Sequence, residues 1–343
     1  MDNTLSEQVV NGLATFNQYV IVAVVIAAVS LLLYTLTFNL RDRVARSLNV
    51  LLACVAVVYL GDVASSIAHH NISSESWLRF QWLGIGMVPA AYLHLSDALL
   101  AMTGKPSRGR RRLFVKFAYL SGSAVAILAL VGEHIVRQVS IETTVERMRP
   151  GILFLPFTIF FVVVIVIAIV NIYRAHQRCL TITTRRRMGY LLLSSIAVPV
   201  GVFPYLLVIG GFVANTRPFL FWVSAIVGNL SVGVASVFMA YSISFFGAPQ
   251  PDRVIKSRMF QWILRGPVVA SLVIGTYVLI RWLGRVADVD TSLWVPAGIV
   301  VALLLPQFVI TVMQVPLERR LFYGGPDDRA DVERLQMLGD RLL

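Results

Sequence analysis

Residues 152–173 read ILFLPFTIFFVVVIVIAIVNIY, an unbroken apolar run without a charged side chain. As a helix rising about 1.5 Å per residue, the run reaches roughly 33 Å, enough to cross the hydrocarbon of a bilayer. A lone strand would leave its backbone N–H and C=O groups unpaired in lipid, so a helix is the form such a run must take.

Eight further runs repeat the pattern on either side: Tyr19–Phe38, Leu48–Ala68, Trp82–Met102, Phe114–Val131, Tyr190–Phe212, Phe219–Phe245, Pro267–Leu283 and Trp294–Val315. The expected fold class is therefore all-α, a polytopic transmembrane helix bundle of about nine spans. Composition agrees, because 57% hydrophobic and 14% charged residues in 343 leave too little polar surface for a soluble domain. Met1–Tyr19 holds no Lys or Arg before the first run, so that run reads as a retained span and not a cleavable signal peptide.

The net charge of +12 sits almost entirely between the apolar runs. Of the 30 basic residues, 23 fall on one set of alternate loops and the tail, among them Arg41, Arg43, Arg46, Arg110–Arg112, Arg185–Arg187 and Arg253. The other set holds 7: Arg79, Arg137, Arg147, Arg149, Arg217, Arg281 and Arg285. The positive-inside bias places the first set in the cytoplasm, with the N-terminus outside and the C-terminus inside. Such a charge pattern points to the lipid bilayer as partner, not to nucleic acid. Trp77, Trp82, Trp282 and Trp294 fall near outer ends, where indoles favour the headgroup layer.

Three regions are expected. Residues 1–247 form a seven-span bundle; 248–315 hold an amphipathic helix and two more spans; 316–343 form a cytoplasmic linker or output helix. In the middle region DRVIKSRMFQWILR (252–265) alternates apolar and basic residues at helical spacing. It reads either as a helix lying in the inner interface or as an early start of the eighth span. Pro316 and Gly324–Gly325–Pro326 are expected to break helix, after which Val332, Leu335, Leu338 and Leu342 recur at spacings of three or four. That ending has the look of an output arm or a truncation point, with Arg319, Arg320, Leu335 and Leu338 as its candidate signal-output residues.

Ionisable side chains within spans are costly and draw attention to Asp62 in the second run and to His94 and Asp97 in the third. His94 and Asp97 lie one turn apart and share a helical face. The three are candidates for a polar ligand pocket or a proton-sensitive switch; the alternative is that they bond neighbouring helices and fix packing. Cys54 and Cys179, the two cysteines, form no zinc spacing, and the five histidines form no convincing axial pair, so neither metal nor cofactor is expected. There is no Walker loop, G-x-S-x-G or H-E-x-x-H, so no catalytic residue is assigned and the chain is not expected to be an enzyme.

Several stretches carry a family likeness: WLGIGMVPAAYLHLSDALLAMTG (82–104), TTRRRMGYLLL (183–193), VFMAYSISFFG (237–247) and the tail LERRLFYGGPDDRADVERLQMLGDRL (317–342). Through them the chain resembles the N-terminal seven-transmembrane input region of bacterial sensor histidine kinases. It departs from that pattern by two extra spans and by lacking a phosphoacceptor-histidine helix and ATP-binding Asn and Gly motifs. The resemblance implies a sensor in the bacterial inner membrane, acting as a homodimer and relaying a signal through the C-terminal linker to a cytoplasmic histidine kinase or response-regulator pathway. A transporter or channel, or an accessory subunit of a membrane complex, is the alternative.

Overall fold

A computed structural model of the chain describes residues 2–38, 42–67, 72–105, 109–140, 147–203, 218–244, 252–287 and 294–322. The chain divides into two compact units, Met1–Ala248 and Pro249–Leu343. Among the described residues, eight helices are long and apolar enough to cross a bilayer. The protein is an all-α, multi-pass membrane protein.

The first unit contains α1 (Asp2–Phe38), α2 (Arg43–Ile67), α3 (Ile72–Phe80), α4 (Trp82–Met102), α5 (Arg110–Val131), α6 (Phe154–Gln177), α7 (Ile182–Val202) and α8 (Pro218–Ser244). The sixth run of the sequence lies on α7. That helix opens on Arg185–Arg187, and the part of the run beyond Phe203 lies outside the described residues. Between α5 and α6, where the sequence shows only a short polar segment, β1 (Val136–Ser140) pairs antiparallel with β2 (Arg147–Pro150). Ile135 and Val136 are buried at its base, and Gly151 N–H donates to the Ile135 carbonyl at 2.8 Å. A hairpin in this position satisfies its backbone groups across the pair, which membrane-level irregular chain could not do.

The centre of this unit is α4, which packs against α2, α5 and α6. It is nearly sheathed, with sixteen of its residues from Trp82 to Leu100 buried. Glycine makes the sheathing possible. A Cβ on Gly84 would run into the Cys54 carbonyl oxygen of α2, and one on Gly122 of α5 would lie 2.6 Å from the Gly86 carbonyl oxygen. Backbone therefore meets backbone on two sides of α4, the close approach that small residues permit between membrane helices. Ala90, Leu93, Ala118 and Val164 fill the layer between α4, α5 and α6.

Polar side chains tie the remaining helices. Tyr59 of α2 donates to Asn229 of α8 at 3.1 Å, and Asn229 donates to Asn17 of α1 at 3.0 Å. Tyr92 of α4 donates to the Ser195 carbonyl of α7 at 2.9 Å. Trp82 is not an interface anchor: it is 2% exposed and sits edge-on to Phe154 and Phe157 of α6. Its large ring has more area to bury between helices than at the headgroup layer. Trp77, Trp282 and Trp294 are exposed.

In the second unit, α9 (Asp252–Ile263) passes without a break through a π-helical turn, Leu264–Val268, into α10 (Val269–Ala287). Where the sequence allows a separate interfacial helix or an early start of the eighth span, the backbone is continuous. Pro267 lies in the π turn, and a widened turn is one way for a helix to absorb a proline's missing donor. A final helix, α11, runs Trp294–Phe322 and packs on α10, with Gly298 against Ile280. Pro316 does not break it, a correction to the sequence reading. Leu317–Glu318–Arg319–Arg320 are good helix formers, and one lost hydrogen bond bends such a helix without ending it. Arg319 and Arg320 thus lie on the last turns of α11, while Leu335 and Leu338 lie outside the described residues.

The glycine contacts are testable. Gly122→Ala should destabilise the bundle by about 1–3 kcal/mol, because α4 and α5 must part to admit the methyl group. Gly275→Ala in α10, where a Cβ meets nothing within 4 Å, should leave stability unchanged or slightly raised. Thermal unfolding followed by circular dichroism in detergent compares the two; equal losses would refute the backbone contact as the reason.

Candidate functional site

Asp97 lies on α4 five residues before the helix ends at Met102 and is 3% exposed. A carboxylate so placed needs partners, and two neighbouring helices supply them at their first residues. Arg43, the first residue of α2, donates to Asp97 Oδ2 at 3.4 Å. Arg111, the second residue of α5, forms a tighter ion pair with Asp97 Oδ1. The two cations and one anion join α2, α4 and α5 at the end of the bundle that carries most arginines.

Local chain geometry builds this arrangement. Gly104, with φ of +87°, turns the chain sharply after α4, so that Lys105 N–H returns to the Leu100 carbonyl and Thr103 N–H to Leu99. That is a glycine-closed helix end. The Arg111 guanidinium then donates to the Lys105 carbonyl at 3.1 Å, holding the turn just past the α4 C-terminus. Asp42, just before α2, accepts from Ala45 N–H at 3.3 Å and caps the helix that presents Arg43.

One turn before Asp97, His94 reaches α5 instead. Its Nδ1 lies 3.1 Å from the Tyr119 hydroxyl, and the two rings meet edge to face at 5.8 Å. His94 is partly exposed, and Arg43, Arg46 and Asp97 are all within electrostatic reach of it. The cluster thus sets an imidazole one turn from an ion pair that joins three helices.

The third candidate stands apart. Asp62 is near the far end of α2, bonded to the Gln81 side chain at the start of α4. From Gln81 to Asp97 is roughly 24 Å along the helix at about 1.5 Å per residue. His94 and Asp97 therefore belong to one cluster and Asp62 to another. Gly61 lets this second contact form, since a Cβ there would lie 2.7 Å from the Gln81 Cβ. Beside it, Arg79 of α3 pairs with Glu75 at 2.9 Å and donates to the Ala129 and Gly132 carbonyls, closing the end of α5.

Arg43, Arg111 and Tyr119 escaped the reading of the sequence, where the arginines count only as topology signals. One signal was available. A buried acid at the arginine-rich end of a span requires a cation at the same depth, and Arg43 and Arg111 stand at the mouths of adjacent spans.

This arrangement is that of a polytopic helical membrane protein whose interior charge is balanced between helices. Residues 20–234 match the model of the N-terminal 7TM region of histidine kinase, and the chain belongs to that family. No curated protein matches it. Both polar clusters fall within the matched residues, and the second unit lies beyond them.

Asp97→Asn should cost about 3 kcal/mol or more, because it strands Arg111 partly buried without its anion. Arg43→Gln should cost under about 1 kcal/mol, since Arg43 is half exposed and its contact long. Melting curves of the two variants check this ordering, and a larger loss from Arg43→Gln would reverse the assignment of Arg111 as principal partner.

Proposed function

We propose that this protein is the membrane-embedded sensing module of a bacterial signal-transduction system. It lies in the inner membrane with its N-terminus outside and its C-terminus in the cytoplasm. It acts as a homodimer, carries no catalytic activity of its own, and relays its signal through the C-terminal segment to a cytoplasmic histidine kinase or similar effector. The observation that carries this reading is family membership over residues 20–234 joined to a polar cluster around His94 and Asp97, shared by three helices of that region.

A change in protonation of His94 alters its bond to Tyr119 and the field at Asp97, and so the balance of contacts between α2, α4 and α5. A two-state bundle responds to a signal only through such differential contacts. The separation of Asp62 from Asp97 favours sensing over conduction, because the α4 stretch between Gln81 and His94 carries no charged residue. Helix α11, unbroken to Phe322, supports a mechanical role for Arg319 and Arg320 in passing a displacement to Leu335 and Leu338.

The test attaches a kinase core or reporter after Leu343 and measures output against pH. His94→Phe keeps the ring volume and removes both nitrogens, so it should flatten the pH response at normal expression. Tyr119→Phe, which removes only the hydroxyl facing His94, should shift it. An unchanged profile in both, with normal membrane insertion, would reduce the cluster to packing.

Orientation has its own measurement. In whole cells, a membrane-impermeant maleimide should label Glu133→Cys and leave Lys105→Cys unlabelled until the membrane is permeabilised. Glu133 and Lys105 are exposed at opposite ends of α5 and α4, respectively. The opposite pattern would invert the topology.

A further inference from the structure

The start of α5 carries more positive charge than the described residues balance. Arg110, Arg111 and Arg112 form its first turn, where the helix already presents its positive end, and the residue before them, Gly109, offers no side-chain acceptor. Asp97 answers Arg111 and Arg43 together, which leaves one positive charge in excess. Arg110 and Arg112 are exposed, and neither takes part in a hydrogen bond or ion pair among the described residues.

Directly below this charge the same helix is bare and apolar. Leu113, Phe114, Phe117 and Leu120 are exposed, at 70%, 36%, 56% and 69%. Leu113, Phe114 and Phe117 follow Arg110 at three, four and seven residues, so they share its face. A guanidinium thus stands at the head of an apolar strip at the depth where the span leaves the bilayer. Lys116 is also exposed between these residues and adds a second cation within snorkelling reach of the surface.

We infer that the α5 N-terminus binds the headgroup of an anionic phospholipid, with Arg110 on its phosphate and Leu113, Phe114 and Phe117 against its acyl chain. The two halves of the site match the two halves of one molecule. A soluble phosphate would use the charged half alone, and a neutral lipid the apolar half alone. Bound here, the lipid neutralises the charge that the helix end would otherwise hold against its own dipole, and it sits beside the Arg43–Asp97–Arg111 junction. The inference does not depend on the sensor reading.

The experiment reconstitutes the full chain in nanodiscs of phosphatidylglycerol and phosphatidylcholine and counts the anionic lipid retained by native mass spectrometry. Arg110→Gln should weaken phosphatidylglycerol retention about fivefold. Arg185→Gln is the matched control: it removes an exposed arginine from the first turn of α7, at the same end, where Thr181 already caps the helix and buried Met188 follows one turn on. Its retention should be unchanged. Phe114→Gln with Phe117→Gln should also weaken retention, which a site for phosphate alone would not show. Equal losses from Arg110→Gln and Arg185→Gln would overturn the site in favour of a diffuse surface potential. Displacement of the retained lipid by inorganic phosphate would overturn the lipid as ligand in favour of a soluble anion.

Discussion

A charge on a helix with almost no free face must be neutralised from within, and that constraint governs this bundle. Because α4 is enclosed by α2, α5 and α6, water cannot reach Asp97 freely, and a lone carboxylate there would cost several kcal/mol. The neighbouring helices must bring Arg43 and Arg111 to its depth. This fixes where α2 and α5 begin relative to α4, and hence the register of three helices. The glycine contacts at Gly84, Gly86 and Gly122 then let those helices approach closely enough for the ion pairs to form. Packing and electrostatics are one constraint seen from two sides.

The two ends of the bundle solve different problems. At the arginine-rich end the ties are Asp97 with its arginines and His94 with Tyr119. Toward the other end they include neutral hydrogen bonds, from Tyr59 through Asn229 to Asn17, joining α1, α2 and α8. Neutral amide and hydroxyl ties do not change with pH, whereas the imidazole does. The far end also holds Asp62 with Gln81 and the Arg79–Glu75 pair, so both ends carry ionisable side chains.

Arg111 illustrates how one residue serves several purposes. It pairs with Asp97, holds the turn after α4 through the Lys105 carbonyl, and contributes to the basic end of α5. A lysine could supply the charge but not the several directed N–H groups that these contacts use. Arg79 does the same at the far end of α5, with Glu75 on one side and two backbone carbonyls on the other. In both cases a guanidinium closes a helix end that lipid could not.

By itself the sequence determined the class of fold, because apolar runs of spanning length admit only helices in a bilayer. It also marked His94 and Asp97 as one group, since helical periodicity alone sets which residues share a face. What it could not supply was the partners. Arg43 and Arg111 are 54 and 14 residues from Asp97, and nothing in local pattern says which loop arginine turns inward. Trp82 shows the same limit, its indole buried against α6 and not placed at the interface. So does Asp62, which tertiary structure assigns to Gln81 at the far end of the bundle. Pro316 failed as a breaker because the formers around it outweigh one lost bond. Helix formation in lipid is a local necessity that the sequence states outright; which helices touch, and at what depth, follows from close packing between distant segments, and only the folded bundle decides it.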